Sequence, residues 1–512
     1  MELKRSENAK KGVMAGIVNR VVATFFPFLI RTAMIHKMGV EYLGLNSLFT
    51  SILTVLSLSE LGFSSAIIYS MYRPVAENDT DTINALLYFY RRVYHVIGSV
   101  ITVIGLGLIP VLHLFIKDDV PRDINIYIIY LIFLCNTVIG YFFYGYLSSI
   151  LNAYQRLDII SLVTSLSQTL GYICQLAAVI FISNYYLYIL FFPLATLANN
   201  FLTAYAVRRM YPQYRCKGNV TTEQRKVIWK RVYGIMVEKI CGTTRNSFDS
   251  ICISAFIGLS ATAVYNNYYY IIMALNTLFY TVLNAVQPGV GNSIVLYDEE
   301  KNLDDMRHMN FGYMVVSGWA FISLICLYQP FMILWVGDEY LLPVSSVLLF
   351  AVYFYVLRMG DIRSVYAQAK GLWWENRYLA ITESVLNLVL NIVLARVFGI
   401  NGVIAATIIA LFGINFCLSS GIVYKYYFGP DKLGRYFLQH LLYIVVTAVV
   451  CIITVWLCRK VEYKGIWLLF IRAAICCIIP GLLYAGVFGF VGKSRESAIW
   501  IRDRMIKKER EK

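Results

Sequence analysis

Four ionisable side chains interrupt an otherwise apolar segment of the sequence, residues 232–259. They are Glu238, Lys239, Arg245 and Asp249. An ionised side chain near the centre of a bilayer costs about 2.5 to 3.5 kcal/mol on insertion scales, so this segment is not expected to face lipid. At about 100° per residue, Glu238, Arg245 and Asp249 lie within about 40° of one another on a helix. The sequence therefore predicts a helix with one charged face that points inward.

Two interpretations of this charged face stay open from the sequence. Arg245 and Asp249 stand four residues apart, so they can form an intramembrane salt bridge that only fixes helix packing. Ionisable groups within a membrane more often mark a transport path or a binding site. The second interpretation is therefore a water-filled, charged cavity.

The amino-terminal part of the chain adds charges inside further apolar segments. Arg20 and Arg31 are eleven residues apart, which places them about 20° apart around a helix. The second apolar segment carries a polar stripe of Asn46, Thr50, Ser57, Glu60 and Ser64. Helix–helix hydrogen bonding explains its Ser and Thr residues as well as a cavity does. The charges within apolar segments are four positive (Arg20, Arg31, Lys239, Arg245) and three negative (Glu60, Glu238, Asp249). They predict a slightly cationic cavity.

The elements that position these residues follow from the composition. Of the 512 residues, 59% are hydrophobic and only 15% are charged, and the mean hydropathy is +0.63. Apolar segments long enough to cross about 30 Å of hydrocarbon recur in blocks of six, six and two. The second segment covers residues 43–70, and others cover 93–116, 378–398 and 402–424. The sequence thus predicts an all-α polytopic membrane protein with about fourteen transmembrane helices.

We predict five segments along the chain. They are an N-lobe of six helices (residues 1–207), a basic cytoplasmic linker (208–231), a C-lobe of six helices (232–428), two further helices (429–492) and a basic cytoplasmic tail (493–512). Glycine and asparagine landmarks recur at similar spacing in the two six-helix blocks, which favours a repeat. Transporters built from such repeats hold their substrate between the lobes, near the membrane midplane.

The net charge of +15 is explained by membrane topology. If both termini are cytoplasmic, Lys and Arg concentrate in the inside segments, and the short outside loops contain few of them. Attraction to anionic lipid then accounts for the basic excess, so no nucleic-acid partner is expected.

The sequence contains no signature of catalysis or of a bound cofactor. Its eleven cysteines lie mostly in apolar segments without a C-x-x-C pair, and its five histidines lack ligand spacing, so no metal site is expected. A phosphate-binding GxxxxGK[ST] loop is absent, and the predicted outside loops are too short for a polymerase site. We therefore expect a transporter and not an enzyme. Glu60, Glu238 and Asp249 are candidates to bind a coupling proton or sodium ion.

The segment from Tyr42 to Asp79 resembles the amino-terminal region of bacterial polysaccharide transporters, the Wzx-type flippases of the multidrug/oligosaccharidyl-lipid/polysaccharide (MOP) exporter superfamily. Its first part reads YLGLNSLFTSILTVLSLSELGF. In the charged segment, Asn246 with Ser247, Asp249 and the run from Ile253 to Leu259 are similar to the family pattern. The run from Gly399 to Ala406 resembles a turn motif found across the superfamily.

The resemblance implies a V-shaped bundle of two six-helix lobes that alternates between inward-open and outward-open states, plus two extra helices. The implied cargo is an oligosaccharide unit on an isoprenoid pyrophosphate, moved to the outer leaflet of a bacterial inner membrane for capsule, exopolysaccharide or O-antigen synthesis. Implied partners are membrane lipids and the polymerase and chain-length proteins of that pathway.

A pyrophosphate head group needs cationic donors, and arginine suits bidentate contacts with phosphate. The candidates for substrate binding are Arg20, Arg31, Arg245 and Lys239, and the further polar or ion-coupling candidates are Glu60, Glu238, Asp249, Asn46 and Asn246. The closest alternative function is a lipid II flippase, whose cargo has the same chemistry. A drug or cation antiporter of the MATE type is less favoured because it would need an anionic cavity, and a membrane polymerase of the same pathway is also less favoured.

Overall fold

The computed structural model describes residues 22–57, 63–117, 120–154, 156–462, 465–490, 496–497 and 499–500. Within these ranges the chain consists of helices joined by turns and short loops, and it contains no β-strand. The predicted all-α class is therefore confirmed.

Nine helices occupy the described part of the chain up to residue 256: α1 (22–37), α2 (Val40–Leu56), α3 (Phe63–Glu77), α4 (Thr80–Gly107), α5 (Ile126–Phe142), α6 (Ser148–Ala153), α7 (Leu157–Ala177), α8 (Tyr185–Met210) and α9 (Thr222–Phe256). Eight follow: α10 (Leu259–Leu296), α11 (Glu299–Val336), α12 (Val344–Met359), α13 (Asp361–Lys370), α14 (Trp373–Ala410), α15 (Ser419–Val423), α16 (Leu433–Arg459) and α17 (Ile466–Phe490). Short 3₁₀ or π segments extend several of these helices.

Side-chain caps fix where several of these helices begin. The Asp79 carboxylate accepts a hydrogen bond from the Thr82 N–H at the start of α4. Thr221 and Gln224 form a reciprocal capping box at the start of α9. Because the first N–H groups of a helix have no partner within it, such side chains stabilise the start by about 1 kcal/mol.

The described residues include eight helical segments that are long and apolar enough to cross a membrane, or ten if each of two bent pairs forms one span. The chain is thus a polytopic membrane protein, and the predicted count of fourteen spans stays a prediction. One of the eight, Glu375–Phe428, is 54 residues long. It covers two predicted spans, 378–398 and 402–424.

A sharp turn at Gly399 divides this long segment. Gly399 has φ 59° and ψ −137°, which is not a helical conformation. A Cβ atom added to Gly402 would lie 2.0 Å from the carbonyl oxygen of Leu394. Eight residues of straight helix cover about 12 Å, so the chain must bend back at Gly399 to permit this approach. The turn predicted in this region is present.

Packing divides the chain into two compact units, Met1–Ala263 and Val264–Lys512. Helix α9 packs within the first unit, where Ser254 Oγ donates to the Phe115 carbonyl at 2.7 Å and Lys117 Nζ donates to the Phe256 carbonyl at 2.8 Å. The predicted linker, 208–231, contains the end of α8 and the start of α9. The division into lobes at this linker, and the V-shaped arrangement of the lobes, stay predictions.

Aromatic side chains fill the interior of each unit. In the first unit, Phe49 of α2 packs against Tyr130 and Phe133 of α5. In the second unit, α11 packs against α12, α16 and α17, and Tyr328 of α11 contacts Tyr268 of α10. These cores hold the helices that carry the candidate sites.

Candidate functional site

A cavity of about 380 Å³ in the first unit is lined by residues of α2, α5, α8 and α9. We call it the polar cavity. Its lining residues are Thr50, Leu53, Thr54, Ser57, Phe133, Asn136, Thr137, Phe192 and Thr243. Thr50 and Ser57 belong to the polar stripe that the sequence places on the second span.

The polar cavity offers hydrogen-bonding groups that are already oriented. Thr54 Oγ1 donates to the Thr50 carbonyl at 2.7 Å, and Ser57 Oγ donates to the Leu53 carbonyl at 2.8 Å. A hydroxyl that donates its hydrogen in this way can still accept a hydrogen bond through its oxygen lone pairs. Asn136 Oδ1 accepts from Thr196 Oγ1 at 2.7 Å, an arrangement that makes the Asn136 amide a donor group. The wall can therefore bind a ligand that carries hydroxyl groups.

Two predicted site residues meet at Tyr188 of α8. Asn46 Nδ2 donates to the Tyr188 hydroxyl at 3.3 Å, and Arg31 of α1 interacts electrostatically with the same hydroxyl. Tyr188 is 3% exposed. The sequence analysis did not select Tyr188, because nothing in the sequence separates it from the other thirty-nine tyrosines.

Asp249 is 2% exposed and lies on α9 between the buried residues Ser247 and Ser250. This agrees with the predicted inward orientation of the charged face. Burial of an ionised carboxylate is costly without partners, and Asp249 is not without an interaction partner. Its role in binding or ion coupling stays a prediction.

The other predicted site residues lie outside the described part of the structure in whole or in part. Arg20 and Glu60 are outside the described residues. The backbone of four others belongs to α9, but their side chains are outside the described part: Glu238, Lys239, Arg245 and Asn246. Their roles stay predictions.

The second unit contains a larger cavity of about 820 Å³, lined mainly by α10, α11 and α17. We call it the apolar cavity. Most of its wall is aliphatic or aromatic, and typical lining residues are Leu275, Leu278, Val282, Val316, Ala320 and Leu469. The sequence analysis did not predict this cavity, because the periodicity of an apolar helix does not show where its neighbours leave space.

A buried ion pair lies behind one wall of the apolar cavity. The side chain of Arg358 is 0% exposed, and its Nη1 atom is 2.8 Å from Oδ2 of Asp361. The same Nη1 atom donates to the hydroxyl of Tyr313 at 3.3 Å, and Tyr313 lines the cavity. The Arg358 guanidinium also lies 5.6 Å from the ring centroids of Phe279 and Phe354.

A second buried arginine continues this network. Arg363 is 1% exposed, and its Nη2 atom donates to the carbonyl oxygen of Asn415 at 3.1 Å. Asn415 Nδ2 in turn donates to Glu383 Oε2 at 3.3 Å. The two arginines are thus accompanied by two carboxylates, Asp361 and Glu383, so the network holds charges of both signs.

Three buried cysteines of the second unit come together from three helices. The Sγ atoms of Cys326 (α11), Cys458 (α16) and Cys476 (α17) all lie within 4.8 Å of one another. Thiolates are ligands for zinc and for Cu(I), and a closed zinc site takes four ligands. Within the described ranges this is the group that could contribute to a metal site. The sequence analysis did not predict this cysteine group, because residues this far apart in the chain show no ligand spacing.

No protein-family model matches the sequence, and no curated protein matches it. Solved structures do match. A structure of the lipid II flippase MurJ in an inward closed conformation aligns with 93% of this chain and 98% of its own, with a TM-score of 0.65 and 14% identity. An inward-facing multidrug resistance MATE family transporter of the MOP superfamily aligns with 83% of this chain and 98% of its own, with a TM-score of 0.62 and 13% identity.

A third match is a MOP superfamily transporter from Pyrococcus furiosus, whose description attributes to it a binding pocket of reverse polarity. It covers 84% of this chain and 96% of its own, with a TM-score of 0.53 and 11% identity. At these identities the matches show the fold alone. The chain has the fold of MOP superfamily transporters.

Proposed function

We propose that this chain is a flippase that moves isoprenoid-pyrophosphate-linked oligosaccharides from the inner to the outer leaflet of a bacterial inner membrane. It would work by alternating access, with a cationic central cavity, and its products would enter capsule, exopolysaccharide or O-antigen synthesis. The observation that carries this proposal is the apolar cavity of the second unit. A volume of about 820 Å³ with an almost wholly apolar wall suits a hydrocarbon chain, because such a wall offers few polar groups to any other ligand.

The head group of such a cargo needs a different surface, and the first unit offers one. The hydroxyl and amide groups of the polar cavity suit sugar hydroxyls. Arg31, which lies near Tyr188, suits the pyrophosphate, with Arg20, Arg245 and Lys239 as further proposed donors. An amphiphilic cargo accounts for both kinds of cavity, whereas a small soluble sugar does not account for the apolar one.

The proposed driving force is the membrane potential. Outward movement of an anionic head group across an inside-negative membrane gains about 2.3 kcal/mol per charge per 100 mV if the charge crosses the whole field. A proton or sodium ion bound at Glu60, Glu238 or Asp249 is the alternative source of energy. No cofactor is proposed, and the proposed partners are the polymerase and chain-length proteins of the pathway.

A lipid II flippase is the second candidate function. It is favoured by the alignment of the MurJ structure with 93% of this chain and by the shared chemistry of a prenyl pyrophosphate. A drug or cation antiporter has structural matches as well, but the arginines proposed for the cavity would repel cationic drugs. Ethidium efflux by cells that produce the protein would support the antiporter.

The first test is complementation of a capsule-producing bacterium that lacks its own flippase. We expect the wild type to restore surface polysaccharide and Arg31→Ala to fail at matched membrane levels. Arg73→Ala is the control, because Arg73 pairs with Glu77 in an exposed position, with 86% of the Arg73 side chain accessible. Equal activity of Arg31→Ala and the control would contradict the proposed role of Arg31.

The second test concerns the apolar cavity. Leu278→Trp places a large ring in the cavity wall and is expected to slow the transport of the lipid-linked cargo. Leu438→Trp on α16 is the matched control, because Leu438 is 65% exposed and Leu278 is 64% exposed, but only Leu278 lines the cavity. Equal transport by the two variants would show that the apolar cavity does not hold the hydrocarbon chain of the cargo, and it would contradict the proposal.

A further inference from the structure

A third cavity lies in the first unit, at the end of α8. It has a volume of about 680 Å³ and contains three arginines in its wall, from α4, from the last turn of α8 and from the chain that follows α8. They are Arg91, Arg208 and Arg215. We call this the arginine cavity. It is separate from the polar cavity, with which it shares no lining residue.

A break between α5 and α6 shapes the arginine cavity. The chain bends by 49° between Ile126–Phe142 and Gly145–Ala153, and Tyr144 adopts a left-handed conformation with φ 59°. A Cβ atom on Gly145 would lie 2.1 Å from the carbonyl oxygen of Gly140. The bend therefore depends on a glycine at this position, and it leaves Tyr144 in the cavity wall.

One contact holds the Arg208 side chain at the cavity wall, and another fixes the backbone of Arg215. The guanidinium carbon of Arg208 lies 5.0 Å from the centroid of the Tyr144 ring, a cation–π contact that keeps the charge at the wall. The backbone N–H of Arg215 donates to Asn84 Oδ1 at 2.5 Å, and Asn84 is 2% exposed. Two of the three arginines are thus tied to the fold by a contact other than an ion pair.

The positive charges in the wall of the arginine cavity are not balanced by acidic lining residues. None of the described residues that line it is acidic. Asp158 interacts electrostatically with Tyr211 of the wall. Its carboxylate is already bound in a bidentate manner by Arg156, with N–O distances of 2.9 and 2.8 Å. Three like charges around one cavity repel one another, and a bound anion would relieve that repulsion.

We propose that the arginine cavity binds the phosphate of an anionic phospholipid head group. Arginine forms bidentate, charge-assisted hydrogen bonds with phosphate, and basic pockets at the ends of membrane helices bind such head groups. The cavity adjoins the end of a candidate membrane span, Tyr185–Met210. Exposed rings at its wall, Phe143 and Phe201, offer apolar contact to the glycerol and acyl parts, which a free phosphate would not use.

This site does not depend on the transported cargo, so it stands or falls separately from the proposed function. The charge distribution of the sequence predicts that the end of α8 is cytoplasmic. The lipid would then come from the inner leaflet, and a bound head group would link α4, α8 and the break after α5. We expect it to stabilise the first unit.

The test uses the purified full-length chain in a neutral detergent. Short-chain phosphatidylglycerol is titrated and compared with phosphatidylcholine of the same chain length and with inorganic pyrophosphate, and the thermal unfolding midpoint is followed by tryptophan fluorescence. We expect phosphatidylglycerol to raise the midpoint more than phosphatidylcholine does. Each of Arg91→Gln, Arg208→Gln and Arg215→Gln should weaken the apparent affinity for phosphatidylglycerol about tenfold.

Two neighbouring arginines provide matched controls. Arg92 follows Arg91 on α4 and Arg209 follows Arg208 on α8, yet neither lines the cavity. Arg92→Gln and Arg209→Gln change the net charge by the same amount and should keep wild-type affinity. Equal loss in the control and cavity variants would mean that only net charge matters and would overturn the proposal. Stabilisation by pyrophosphate but not by phosphatidylglycerol would contradict the proposed lipid and assign the site to a soluble phosphate.

Discussion

Removal of the charge of Asp361 is expected to destabilise the second unit strongly. Asp361 is the carboxylate beside Arg358, whose side chain is 0% exposed. In Asp361→Asn the shape of the side chain is kept, but the buried guanidinium loses its adjacent counter-charge. Breaking a buried ion pair from one side costs about 3 to 5 kcal/mol, because the remaining charge stays desolvated.

The first unit contains a control ion pair with the same N–O distance. Arg73 and Glu77 also approach to 2.8 Å, but their side chains are 86% and 54% exposed. Solvent screens an exposed ion pair, so it contributes little to stability, and Glu77→Gln should have little effect. Since distance is equal and burial differs, the comparison isolates the cost of burial.

The assay is thermal unfolding in detergent, followed by tryptophan fluorescence. For a unit of this size, each kcal/mol moves the midpoint by about 2 to 4 °C, so Asp361→Asn should unfold on the order of 10 °C below the wild type. The double variant Arg358→Met with Asp361→Leu should recover much of this loss, because neither charge of this buried pair remains. A midpoint for Asp361→Asn that matches Glu77→Gln would refute the reasoning.

Two further predictions concern the backbone and pH. Gly402→Ala should destabilise the chain by about 1 to 3 kcal/mol, because its Cβ would meet the Leu394 carbonyl. Gly413→Ala is the control and should be tolerated, because no atom lies within 4 Å of its added Cβ. Equal unfolding midpoints for the two variants would contradict this prediction. Hydrogen bonding from Thr82 lowers the pKa of Asp79, so the stabilising effect of Asp79 is present above its unfolded pKa of about 3.9 and is lost as pH falls through the lower folded value. The difference in midpoint between Asp79→Ala and the wild type should therefore shrink towards about pH 3, and a difference that grows in acid would contradict the assignment.

Features that depend on local sequence could be predicted. Apolar segments about twenty residues long must form helices in a membrane, since each backbone group has to be satisfied within the segment. The turn at Gly399 was indicated only by the resemblance of residues 399–406 to a superfamily turn motif, and glycine adopts the observed φ of 59° without the cost that a side chain would bring. The all-α class and this turn were thus available from the sequence.

Features that depend on packing could not be predicted. Helix α4 and the following segment Ile109–Phe115 meet at 65°, although residues 93–116 read as one apolar span. Tyr144 adopts φ 59° at the break after α5, and no glycine at that position signals it. Pro110 and Gly145 lie at these two breaks, but the hydropathy of a whole span does not show how far the chain bends at such a residue.

The candidate sites show the same division. The inward orientation of Asp249 was predictable, because a charge in an apolar helix avoids lipid. The contact of Asn46 with Tyr188 and the meeting of the three cysteines depend on how separate helices pack. The arginine cavity joins residues from three places in the chain, and each of these arginines alone looks like an ordinary cytoplasmic positive charge.

The most direct test of the proposed function is a flipping measurement in proteoliposomes. A fluorescent prenyl-pyrophosphate oligosaccharide is placed in both leaflets, and a membrane-impermeant reagent reports the fraction accessible from outside over time. We expect the protein to make the whole pool accessible and an imposed potential to change the rate, with Arg31→Ala slower than Arg73→Ala. An inner pool that stays protected in the presence of folded, reconstituted protein would contradict the account.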